Sequence, residues 1–223
     1  MMTALRIAFF TLIITGSLTG CFEIREEIDL YTDGAGRATY TLNMSESKAN
    51  LANYMRLGSF NGREVPTRAD MEADIARVKK TLSASKGITE VRSYSNFEDF
   101  IFSFSLHFDN VQNLNAALNK AAAVLDQAST LSSQLHNYAY ASGTFRRYFD
   151  YPLESVDYSE LTTMQRYMLE EARMVSIYRF QRPIREFSNP KAVIAPNRKA
   201  IKLEVPLGTA IKGSGTLANS IIF

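Results

Sequence analysis

From Ile24 onwards, apolar side chains first recur at every second position. Ile24, Ile28 and Leu30 lie opposite Arg25, Glu27 and Asp29, the mark of a half-buried strand. Glu23, Glu26 and Glu27 fall on two faces of this strand and read as a solvated edge, not a carboxylate pair. Asp33-Gly34-Ala35-Gly36 offers the positive-φ positions of a tight reversal, after which Ala38, Tyr40, Leu42 and Met44 alternate with polar neighbours. The pattern predicts a hairpin over 23–44. The period then lengthens. Ser45 is placed to cap a helix running through Leu51, Tyr54 and Met55 to Gly58, followed by a loop at 59–66. Thr67, with Asp70 three residues on, opens a second helix whose buried face is Met71, Ile75, Val78 and Leu82, ending at Gly87.

Period two returns at 88–95, turns at 96–99 and continues with Phe100, Phe102, Phe104, Leu106 and Phe108 on one face, the strongest core strand of the chain. Asp109 and Gln112 form a capping-box pattern for a third helix striped by Val111, Leu114, Leu118, Ala121 and Leu125. A polar connector at 127–137 marks a candidate seam. Beyond it, the aromatic segment 138–151 contains a strand around 145–149, residues 158–174 read as a helix, and 175–180 is extended. A last hairpin joins 192–194 to the alternating strand Ile201, Leu203, Val205 and Leu207. The apolar end after Gly213-Ser214-Gly215 fits no element. Hairpins punctuated by helices predict an α+β fold: a curved antiparallel sheet built from hairpins, with helices packed on one face.

The N-terminus follows a different rule. One basic residue, Arg6, precedes the apolar run Ile7 to Ile14, the charged start and greasy core of a secretory signal. The apolar segment is about 12 residues long, whereas a membrane-crossing helix needs about 20. It ends Leu18-Thr19-Gly20-Cys21, which resembles the lipobox of bacterial lipoproteins. That resemblance implies removal of residues 1–20, cleavage between Gly20 and Cys21, and lipidation of Cys21, leaving an exported domain at 21–223. Cys21 is the only cysteine, so an intrachain disulfide, a CxxC pair and a thiolate metal cage are all excluded. Two or three acyl chains, at about 0.8 kcal/mol per buried methylene, would hold the domain durably at a membrane. Phe22 follows the cysteine in place of the Asp that resembles an inner-membrane retention signal. In an envelope with two membranes the expected address is therefore the outer membrane, facing the periplasm.

The opening from Glu26 to Met44, a strand, an Asp-Gly-x-Gly turn and a strand directly behind a lipidated cysteine, resembles a group of uncharacterised envelope lipoproteins that includes the LppM-like domain. The hairpin at 189–207 is similar to their C-terminal strands. The resemblance implies a curved sheet around a helix, akin to lipid-binding START-like domains, and carries over no binding residue.

Charge adds one feature. The formal net charge is +2 and falls to +1 when Arg6 leaves, yet residues 21–144 hold 12 basic and 15 acidic side chains while 145–223 hold 12 and 8. Arg179, Arg182, Arg185, Lys191, Arg198, Lys199 and Lys202 are opposed over this stretch only by Glu186. The ordinary expectation is a solvated sheet face; the sharper one is a cationic surface for an anionic lipid or an acidic envelope partner. Nucleic acid is a poor fit to near-neutral charge and an exported address. The two histidines, His107 and His136, belong to no HExxH pattern, and GxSxG, Walker and GxGxxG motifs are missing. These observations predict a non-catalytic protein without cofactor or metal. The first expectation is a binding domain for an apolar or amphiphilic ligand; the alternative is a structural or assembly lipoprotein that docks on another envelope protein. A cavity favours the first, and a filled core with an exposed apolar patch the second.

Overall fold

The structure is a computed structural model that describes residues 22–60, 63–125, 136–149, 166 and 170–223. The expected signal segment with Gly20 and Cys21, most of the connector at 127–137 and most of the helix expected at 158–174 lie outside the described residues.

The alternating opening forms β1 (Glu23–Leu30) and β2 (Gly36–Asn43), joined by a turn in which Gly34 has φ 88° and Asp33 accepts from the Ala35 amide at 3.0 Å. Helix α1 (Lys48–Leu57) stops at Gly58 as expected, but Ser45 does not cap it. The Asn43 side chain accepts from the Ser45 amide at 3.0 Å, and residues Ser45–Ser47 form a 3-10 turn first. A two-stranded ribbon, β3 (Ser59–Phe60) with β4 (Arg63–Glu64), stands in the expected loop. Helix α2 (Arg68–Ser83) begins on the expected box, with Thr67 and Asp70 satisfying each other's backbone amides, and ends before Gly87.

Strands β5 (Ile88–Asn96) and β6 (Ile101–Phe108) follow. Phe100 belongs to the turn, not the strand: its φ is 53°, and its carbonyl accepts from Met44. Helix α3 (Val111–Leu125) is capped by Asn110, which accepts from the Asn113 amide at 2.8 Å. Asp109, the expected cap, instead accepts from the Asn113 side chain at 2.8 Å. After the connector, β7 (Tyr138–Ala141) and β8 (Thr144–Arg147) form a hairpin whose two turn residues, Ser142 and Gly143, both have positive φ, the tight geometry that matches strand twist. Then come β9 (Arg173–Phe180), β10 (Glu186–Phe187), β11 (Val193–Ile194), β12 (Ala200–Pro206), the short helix α4 (Leu207–Ile211) and β13 (Asn219–Ile222).

Eleven of these strands build two open sheets, one of seven strands in the order β11-β12-β9-β1-β2-β6-β5 and one of four in the order β10-β13-β8-β7. The α+β class holds, with one correction to the antiparallel expectation: β1 and β9 are parallel, Glu26 facing Ser176 and Ile28 facing Tyr178. A parallel pair needs a long crossover, and alternation along a strand is silent about partners that far apart. The unplaced C-terminus supplies β13, between β8 and β10. Helices α2 and α3 pack on each other, and α3 also touches β5, β6 and β7. The core between these layers gathers Ile28, Leu106, Leu114, Phe145, Tyr178, Ile184, Ile201 and Ile221, all at most 2% exposed. Phe145 stands edge-on to Tyr178, the rings 5.1 Å apart, and so ties the small sheet to the large one. Among the described residues no helix is long and apolar enough to cross a membrane.

Candidate functional site

Strand β1 carries Ile24, Glu26, Ile28 and Leu30 on one face, because side chains two apart share a face, and from Glu26 onwards that face is buried. Glu26 therefore sits in the apolar row and is 8% exposed, not part of a solvated edge. Its charge is met by Arg147 of β8, which shares a strand face with buried Phe145 and is 3% exposed. The guanidinium grips the carboxylate with two bonds: Nε donates to Oε1 at 2.9 Å and Nη2 to Oε2 at 3.0 Å. Three hydroxyls complete the shell. Ser176 donates to Oε1 at 2.7 Å, Tyr178 donates to the same oxygen, and Tyr138 donates to Oε2 at 2.8 Å. Arg147 Nη1 donates to the Tyr148 carbonyl, and the guanidinium lies 5.0 Å from the Tyr138 ring centre.

Burial alone pushes the Glu26 carboxyl up, but the Arg147 charge and the donated hydrogen bonds outweigh it and hold the group below the usual carboxylate range. Burial, reinforced by the nearby Glu26 charge, pushes the Tyr138 and Tyr178 hydroxyls well up. Both therefore stay protonated and keep donating. The linkage to pH has a definite sign. Below the ordinary carboxylate range the unfolded chain binds a proton that folded Glu26 refuses, so this stabilisation is complete above that range and drains away as pH falls towards the folded-state value. Urea unfolding between pH 7 and pH 3 should show a steeper acid loss in the wild type than in a Glu26→Gln, Arg147→Met double variant. Parallel profiles would sink this assignment.

Tyr138 is held in place by a helix that imitates a strand. Asn115 of α3 donates its side-chain amide to the Tyr138 carbonyl at 2.6 Å and accepts from the Tyr138 amide at 3.0 Å. It thus fills the edge of β7, which has no further strand neighbour among the described residues. Asn115→Ala should cost about 2 kcal/mol for two lost bonds and speed hydrogen exchange at the Tyr138 amide; unchanged exchange there would show that another group satisfies the edge.

Beside the ion pair, between β1, β2, β9 and α3, lies a cavity of about 260 Å³. Ile24, Leu118, Ala122, Met174 and Leu217 give it apolar walls, and Tyr40, Asn119, Asn137, Tyr138, Glu26 and Arg147 give it a polar side. That volume is far more than one water needs and close to the lower end of small-molecule sites, about 300–1,000 Å³. The arrangement can enclose an aliphatic chain against one wall while a polar end meets the other.

The basic residues singled out by sequence do not converge here. Arg179 bonds Glu27 at 3.1 Å and Asp29 at 3.2 Å on the outer sheet face, and Lys202 pairs with Glu204 at 2.9 Å. Arg198 donates to the carbonyls of Ile184 and Arg185, both at 2.9 Å, and Arg185 donates to the Phe223 carbonyl. Arg182, Lys191 and Lys199 are exposed. His107 is also on the outer face, accepting from Arg37 Nε at 2.9 Å, and His136 is exposed. Sequence reasoning missed Glu26, Arg147, Ser176 and Asn115. The signal for the first two was phase: each is a charged residue in step with apolar ones.

No protein-family model matches this chain, and no curated protein matches it in sequence. Among solved structures, the folded domain of LppM from Mycobacterium tuberculosis aligns over 90% of this chain and 87% of its own, with a TM-score of 0.39 and 11% identity. The Fcho1 mu homology domain from Danio rerio, with a bound Eps15 peptide, aligns over 91% and 78% with a TM-score of 0.20 and 13% identity. Both likenesses are too distant to assign a family, and function has to be read from the cavity and its charge pair.

Proposed function

We propose that this chain is a lipid-anchored protein of the bacterial envelope whose α+β domain binds an amphiphilic ligand without transforming it. The cavity between the large sheet and α3 carries the proposal, with its apolar walls and one polar side. The lipobox-like segment ending at Cys21 supports the anchor, and Phe22 after it supports the outer membrane, facing the periplasm, where two membranes exist. Binding is favoured over catalysis because the one buried carboxylate among the described residues of the site receives five hydrogen bonds. A carboxylate so satisfied has little capacity left to take a proton from a substrate.

Native mass spectrometry of the mature protein, released gently from its own membranes, tests the reading. The expected result is a small amphiphile that stays bound in the native spectrum and is lost on denaturation, beside covalent acyl groups that remain. A clean protein mass that takes up no added lipid would overturn ligand binding and leave the assembly role in its place.

A further inference from the structure

The charges lining the cavity bear on which amphiphile it accepts. Resting on the ligand-binding reading above, we infer that the cavity selects amphiphiles with an uncharged, hydrogen-bonding polar end over those with an anionic one.

Among the described lining residues only Glu26 and Arg147 are charged, and they neutralise each other. The Arg147 guanidinium is committed at all three nitrogens: Nε and Nη2 to Glu26, Nη1 to the carbonyls of Tyr148 and, at 3.5 Å, Asn137. An anionic head entering beside this pair would surrender its hydration and face the Glu26 charge, while the one cation among the described lining residues is already engaged. A hydroxyl or amide head gives up much less hydration, and the same wall carries the polar groups of Tyr40, Asn119 and Asn137. The exposed basic residues of the C-terminal half supply no counter-charge, since none of them lines the cavity.

The test compares two probes with the same twelve-carbon chain, monododecanoylglycerol and dodecanoate, titrated below their critical micelle concentrations into delipidated mature protein at pH 7.5. The glycerol ester should bind at least tenfold more tightly. A ratio below tenfold, or a preference for dodecanoate, overturns the selectivity and leaves ligand binding standing. If neither probe binds, the ligand-binding reading itself fails. Ala122→Trp, which fills the cavity, should abolish binding of both probes; persistence would place binding elsewhere and overturn the inference. Glu26→Gln should raise dodecanoate affinity at least tenfold, by releasing Arg147 from its counter-charge. An unchanged affinity in the folded variant counts against the inference, and the wild-type comparison decides it if that variant fails to fold.

Discussion

Replacing Arg147 by methionine should lower the stability of the folded domain by about 3–5 kcal/mol, the usual cost of removing one partner of a buried ion pair. The loss comes mainly from what is left behind. Glu26 would keep the hydroxyls of Ser176, Tyr178 and Tyr138, but among the described residues its buried carboxylate would have no counter-charge. It would be driven to take up a proton, and with its folded-state pKa then raised by burial the variant would hold its remaining stability at acid pH and lose it as pH rises. The double variant Glu26→Gln, Arg147→Met should return to within about 2 kcal/mol of the wild type. Its amide oxygen can still accept from the hydroxyls, and no charge is buried. Urea unfolding at pH 7 gives both numbers. The account fails if the single variant loses less than about 1 kcal/mol, or if the double variant is as unstable as the sum of the two singles.

Cys21→Ser should have the largest effect on location. With oxygen in place of the thiol no thioether can form, so the precursor should stay uncleaved and carry no diacylglycerol. Intact mass and membrane fractionation read the result together. A variant that still matures at residue 21 and still sediments with membranes as a lipidated species would refute the lipoprotein proposal. The folded domain should be indifferent to the change, because the strand that follows begins at Glu23 and makes its bonds to β2 and β9. Thermal unfolding of the released domain would therefore separate a targeting defect from a folding one.

Much of the secondary structure was legible because each element obeys a local rule. The hairpin at 23–44, the Thr67 box, the phenylalanine strand and the stripe of α3 all follow from period and capping chemistry. What escaped has a common cause. Whether β1 lies beside β9, and in which direction, depends on residues about 150 positions apart, and no local period encodes that. Of the hairpin of β7 and β8 only the second strand was read, around 145–149; the turn pair Ser142-Gly143 that makes it a hairpin went unread.

The site was legible in part. Glu26 shares the phase of Ile24, Ile28 and Leu30, and Arg147 shares the phase of Phe145 and Phe149. A carboxylate and a guanidinium each set in an apolar row is a readable sign of a buried pair, because neither could be buried alone. Asn115 was not readable. An asparagine on a helix gives no hint that it will complete the edge of a strand.

The central position of β1 has a consequence for how the chain acquires its structure in time. The first strand to be synthesised is bonded on one side by its hairpin partner and on the other by β9, and its buried carboxylate is matched by residues 112 to 152 positions later. Until that late segment is available, β1 would bury an uncompensated charge, so the large sheet cannot close early. Such long-range closure makes folding slow, which would suit the export proposed for this chain by keeping it open. A pulse-labelled chain truncated before Arg173 should remain protease-sensitive, and protection should arrive only with the strand that completes the sheet around Glu26.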